Sequence, residues 1–95
     1  MRYLFIYKSG DVPQDKMRDL VAEWVDWTKT INEQAGFRNA GGKTVSKEGV
    51  KVFDGKLSGV SIIEAESLDA AIELAKNNPG LKYGGMVKVL EEWKM

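Results

Sequence analysis

The chain has 95 residues with fourteen basic and fourteen acidic side chains, so its formal net charge is zero. No block of like charge offers a footprint for a phosphate backbone or an anionic membrane. It contains neither cysteine nor histidine, which excludes disulfides, thiolate chemistry, imidazole metal ligands and the usual general base near neutral pH.

Arg2 to Lys8, RYLFIYK, reads as a strand with Leu4 and Ile6 pointing one way and Tyr3, Phe5 and Tyr7 the other. Apolar residues on both faces mark a strand covered on both sides. Helices in so short a chain cover one face only, which leaves the other for a ligand or a second subunit. Ser9 to Pro13 is a turn that delivers a helix, with Pro13 near the first helical position and Asp15 in the first turn. Met17, Leu20, Val21, Trp24, Val25, Trp27, Thr28, Ile31 and Ala35 follow at helical spacing, opposite a charged face. The spacing predicts a helix of about five or six turns, closed by Gly36 as its C′ residue.

Phe37 to Val45 reads as a strand interrupted by Gly41-Gly42, which predicts a bulge or a close backbone approach. Lys43 to Val45 and Val50 to Phe53 flank a hairpin tip at Lys47-Glu48-Gly49, and Asp54-Gly55 marks a second turn. A short, mobile hairpin is expected over 43–56. From Leu57 to Leu90 the chain reads as strand, helix, turn, strand. Val60, Ile62 and Ile63 supply the strand, Ser67 stands at the N-cap, and Leu68, Ala71, Ile72 and Ala75 recur at helical spacing. Asn77-Asn78-Pro79-Gly80 ends the helix before a strand from Met86 to Leu90. Trp93 in the tail is too large an apolar group to stand idle and is expected to pack on a partner. The order is that of a ferredoxin-like βαββαβ sandwich in the α+β class, with two helices on one face of an antiparallel sheet and a small extra hairpin.

Length fits a single domain over 1–95 with a modest core and a large share of exposed surface, so association between copies would help it. No apolar run approaches the roughly 20 residues of a membrane span, and the N-terminus lacks a signal peptide's hydrophobic region. A soluble cytoplasmic protein is expected.

Met1 to Tyr7, the pair Trp24 and Trp27, Gly41-Gly42, Gly59 to Glu64, Ser67 to Ala71 and Gly84 to Val89 occur in an order that resembles the YCII-related family. The likeness includes that family's branch named after an Asp-Gly-Pro-Phe motif, within the dimeric α+β barrel superfamily. It runs over the whole length. Two features depart from the pattern. Asp54-Gly55 is followed by Lys56-Leu57, so the motif is not intact and the resemblance does not carry over a pocket wall built by that loop. Some family members carry a histidine proposed to pair with an aspartate in catalysis, and a chain without histidine cannot use that dyad. The resemblance implies two subunits packed sheet against sheet into a barrel, which accounts for the two-faced first strand. Burying several hundred Å² of apolar sheet per subunit at about 25 cal/mol/Å² is worth on the order of 10 kcal/mol before the costs of association.

Each candidate site residue has a plainer role beside the functional one. Trp24 and Trp27 are three apart and can wall an apolar ligand pocket, or pack in the core. Tyr3 and Tyr7 can direct hydroxyls into a cavity or into the subunit contact. Gly41 and Gly42 can present backbone N–H groups to an anion, or form a bulge. Asp54 is a candidate base, or a turn-forming residue. Glu64 and Glu66 can act as a carboxylate pair or stand as solvated strand-end charges, and Asp69 is a helix-dipole partner. Without histidine, catalysis would rest on carboxylates, Lys, Tyr, Arg or backbone amides, and no metal or other cofactor is expected. The function expected is a small-molecule-binding dimeric barrel, and a cofactor-free enzyme on a small apolar or aromatic acid fits that frame. The alternative is a non-enzymatic dimeric interaction domain. RNA-recognition modules share the element order, but Leu57 to Ile63 offers no stacking aromatics, so no nucleic-acid partner is expected.

Overall fold

The computed structural model describes residues 1–94. Its elements are β1 (Arg2–Lys8), a 3-10 turn (Gln14–Lys16) leading into α1 (Met17–Thr28), β2 (Glu33–Arg38), β3 (Lys43–Ser46), β4 (Gly49–Val52), β5 (Gly59–Glu64), α2 (Leu68–Ala75), a second 3-10 turn (Pro79–Tyr83) and β6 (Met86–Glu91). β2, β5, β1 and β6 form one antiparallel sheet in that order, and β3 and β4 pair separately as a hairpin. With the hairpin set aside, this is the ferredoxin-like α+β arrangement expected from the element order.

The first strand sorts its residues as alternation requires. Tyr3, Phe5 and Tyr7 face the helices and are buried, while Leu4 and Ile6 lie half-buried on the open face of the sheet. Gly59, Ser61 and Ile63 continue the buried face on β5. Trp27 and Ile31 from the α1 side, and Ala71 and Ala75 from α2, complete the core. Ser67 caps α2 as its position suggested, accepting a hydrogen bond from the Ala70 N–H at 3.1 Å. The two helices cover one face. On the other, Phe37, Val60 and Ile62 continue the Leu4 and Ile6 surface toward one edge, and Met86 and Leu90 toward the other. Phe37, Met86 and Leu90 are exposed there.

Two expectations are corrected. The first helix stops at Thr28, two turns before Gly36. Thr28 and Thr30 turn their hydroxyls onto the carbonyls of Val25 and Trp27. Asn32 then takes the left-handed backbone at φ +52° that Asn tolerates better than most residues, and the chain reverses into β2. Ile31 keeps helical spacing because a turn, not a helix, delivers it to the core, and Ala35 and Gly36 belong to a strand. The second correction concerns the bulge. It falls at Glu33 to Ala35, where β2 slips its register on β5, while Gly41 and Gly42 lie in the connection from β2 to β3. Among the described residues, no helix is long and apolar enough to cross a membrane.

Candidate functional site

α1 leans on the second 3-10 turn and on the aromatic core more than on β2, and this leaves a cleft beside it. The cleft has a volume of about 530 Å³. Along one wall run Met17, Val21, Trp24 and Val25 of α1; Arg38 and Ser58, at the ends of β2 and β5, form the opposite side. Such a space, apolar with one guanidinium and a few hydroxyls, is the form that small-molecule sites take.

Glycine makes room for the polar side. Gly36 and Gly59 occupy helix-facing positions on β2 and β5, opposite Ser61 and Arg38 respectively. A Cβ at Gly36 would stand 2.6 Å from the Glu33 carboxylate oxygen Oε2, and one at Gly59 would run into the Phe37 carbonyl oxygen and crowd the Arg38 side chain at 3.0 Å. The missing side chains let Glu33 and Arg38 lie flat across the sheet. Arg38 Nη2 donates to Glu33 at 3.1 Å, and Nη1 donates to the Val60 carbonyl at 3.0 Å. The guanidinium carbon sits 5.3 Å from the centre of the Tyr7 ring, a cation–π contact. Glu33 also accepts from the Ser61 hydroxyl, which in turn accepts from the Tyr7 hydroxyl at 2.7 Å. The result is a chain of hydrogen bonds from Tyr7 through Ser61 to Glu33, locked by Arg38. Burial pushes the Tyr7 phenol up to about 12; the Ser61 hydrogen bond and the Arg38 charge work the other way, less strongly. Tyr7 is therefore a neutral donor at ordinary pH. Arg38 retains its Nε–H and one Nη2–H without a partner among the described residues, and it lines the cleft whereas Glu33 does not.

The structure divides the aromatic candidates. Trp24 lines the cleft and meets the Tyr7 ring edge-on at 4.9 Å, and its Nε1–H is buried with no partner among the described residues. Trp27 is a core residue, stacked on Phe5 at 6.2 Å with its Nε1–H donated to the Leu74 carbonyl. Tyr3 is buried at the far end of β1, its hydroxyl against the Met1 sulfur, and is not in the cleft lining. Gly41 and Gly42 stand in open space at the neck of the hairpin. Asp54 is exposed and accepts from the Lys56 N–H at 3.0 Å, which is the turn-forming role. Glu64 forms an ion pair with the N-terminal ammonium at 2.7 Å, and that hydrogen bond holds its carboxyl below the usual range. Arg38, Glu33, Ser58 and Ser61 were not singled out by sequence. The signal for them is two glycines on the same, helix-facing side of paired strands, which only the register reveals. Among the described residues, no cluster of three His, Cys, Asp or Glu side chains is placed to hold a metal ion.

A comparison with curated proteins gives no match. Eight solved chains match, among them the 5-chloro-2-hydroxyhydroquinone dehydrochlorinase of Burkholderia phenoliruptrix in complex with 2,5-dihydroxybenzoquinone. Identity to that enzyme is 23%, with a TM-score of 0.67 over 99% of this chain and 94% of the other. At that identity the likeness establishes the shared fold. The model of the YCII-related domain matches residues 1–94, and with the sheet order and the two helices in place, the chain belongs to the YCII-related family.

Proposed function

We propose that the protein binds a small apolar or aromatic acid in the cleft beside α1. One observation carries the proposal: an apolar space of about 530 Å³ whose polar side is the Arg38 guanidinium, with donors still free. Arg38 is held from beneath by Glu33, so its position is set before a ligand arrives, and pre-organisation of this kind lowers the cost of binding. Trp24 and the α1 side chains supply the surface for an aromatic body. The dehydrochlorinase that shares the fold is complexed with a small oxygenated ring, which agrees with a ligand of that size. The second part of the proposal is that two copies pair through the open sheet face. Leu4, Ile6, Phe37, Val60, Ile62 and Leu90 give it an apolar centre, and Arg2, Glu64 and Glu92 lie toward one end as a charged rim.

Trp24 makes the first part measurable. A panel of aromatic carboxylates is expected to quench tryptophan fluorescence and raise the melting temperature. Arg38→Ala is expected to weaken the response at least tenfold, the scale of one charge-assisted hydrogen bond. A panel that leaves both fluorescence and melting temperature unchanged would overturn the proposal.

A further inference from the structure

The β3–β4 hairpin is rooted between Arg38 and Ser58, which line the cleft. Its strands pair only with each other, and all eight of their residues are exposed. Register places Val45 opposite Val50 and Lys43 opposite Val52, so one face carries the three valines with Lys43 at its inner end, and the other Thr44, Ser46 and Lys51. Val45, Val50 and Val52 are 76%, 65% and 74% exposed. A two-stranded hairpin is marginal in water by itself and needs a surface for such a face. The radius of gyration, 14.5 Å, exceeds the value of about 12 Å for a compact chain of this length. The hairpin projects.

Where that surface lies follows from the hairpin's roots. Arg38 ends β2 and Ser58 precedes β5, and both line the cleft. The Asn39 N–H donates to the Ser58 carbonyl at 3.2 Å, and further out the Phe53 N–H donates to the Gly42 carbonyl at 2.9 Å. Between those two rungs lie Ala40-Gly41 on one side and Asp54-Gly55-Lys56-Leu57 on the other, with the Leu57 carbonyl accepting from the Asn39 side-chain amide below the glycines. Gly41 has φ +113° and Gly55 φ +77°, each with open space around it. Two permissive residues at one level, one on each arm, form a hinge. Beyond the cleft's polar side, α1 presents Met17, Val21 and Val25 at 48%, 60% and 50% exposure.

We propose that the hairpin is the lid of the cleft. It turns about Gly41 and Gly55 and lays Val45, Val50 and Val52 against Met17, Val21 and Val25. Closure encloses the ligand and makes the valines determinants of its size. The inference rests on the cleft being a binding site. A second copy seated on the valines is the competing occupant. Closure within one chain prevails because the hairpin is tethered at Arg38 and Ser58, beside its own cleft and at millimolar effective concentration, whereas the copy proposed to pair through the open sheet face sits on the side away from the helices.

The chain has no cysteine, so a V21C/V50C variant carries the only thiols. At low micromolar protein, mild oxidation is expected to join them within one chain, faster when the aromatic anion 8-anilinonaphthalene-1-sulfonate is present. An E73C/V50C variant, whose first thiol lies exposed on α2 outside the cleft lining, is expected to stay reduced. Cross-linked pairs of V21C/V50C chains, preferential closure of E73C/V50C, or no disulfide in V21C/V50C would each overturn the lid. Replacing all three valines by serine is expected to speed release of the probe about tenfold while Arg38 still holds it. Unchanged release would also count against the lid. If the probe ignores the wild type while V21C/V50C still closes, the ligand site is rejected and the moving hairpin stands.

Discussion

Ser61 is the residue on which the polar side of the cleft depends, since it takes the Tyr7 proton donor and passes a hydrogen bond to Glu33. Both partners change when it is lost. Ser61→Ala leaves the buried Tyr7 hydroxyl without an acceptor and should lower stability by about 1–3 kcal/mol in urea unfolding. Gly36→Ala pushes the Glu33 carboxylate from the same place, so its cost should fall short of additive with Ser61→Ala. Tyr7 also sets an alkaline limit. The folded chain favours the neutral phenol, so its folded value lies above the ordinary value of 10, at about 12. That contribution is fully present below pH 10 and is lost as pH rises through about 12. Urea midpoints of Tyr7→Phe and the wild type should therefore converge over this interval; a constant gap would refute the assignment.

At the scale of elements, caps and strand register decide what periodicity leaves open. Ser67 was legible because a hydroxyl before an apolar helical run has one obvious use, and Ser67→Ala should cost about 1 kcal/mol of stability. α1 was legible as a helix, but its end was not. Spacing alone cannot tell a helical turn from the Thr30 to Asn32 reversal that carries Ile31 into the core. The misplaced end hid the first half of β2, and with it the pairing of Gly36 with Ser61 and of Arg38 with Gly59 that builds the site. The hairpin over 43–56 was visible from its turns, whereas its amphipathic character follows from the pairing of Val45 with Val50.

For the whole molecule, the sheet is a wall with one finished side. The aromatic cluster of Phe5, Tyr7, Trp24 and Trp27 seals the helical side through edge-on and stacked contacts. The opposite side carries Phe37 at 64% exposure and Met86 at 54%, with Lys88 between Met86 and Leu90 on the same face, so apolar groups are left bare on the strands on both sides of β5 and β1. Under the proposed pairing, sedimentation should show a dimer at micromolar concentration. Phe37→Lys should shift it toward monomer, because a charge introduced within an apolar contact is costly to bury. A compact monomer for the wild type would refute the pairing and leave the cleft proposal untouched. Trp93, 84% exposed beyond β6, is a further apolar group available to a partner.

The amino-acid sequence by itself determined the order of elements, the alternation that buries Tyr3, Phe5 and Tyr7, the Ser67 cap and the absence of any imidazole or thiol chemistry. These are local properties, written in spacing and residue type. Only the tertiary structure decided that Trp24 faces a cleft while Trp27 fills the core, and that Arg38, Glu33, Ser61 and Tyr7 meet. Their encounter joins strands far apart in the chain through one register, and a shift of one residue would turn every one of those side chains to the other face.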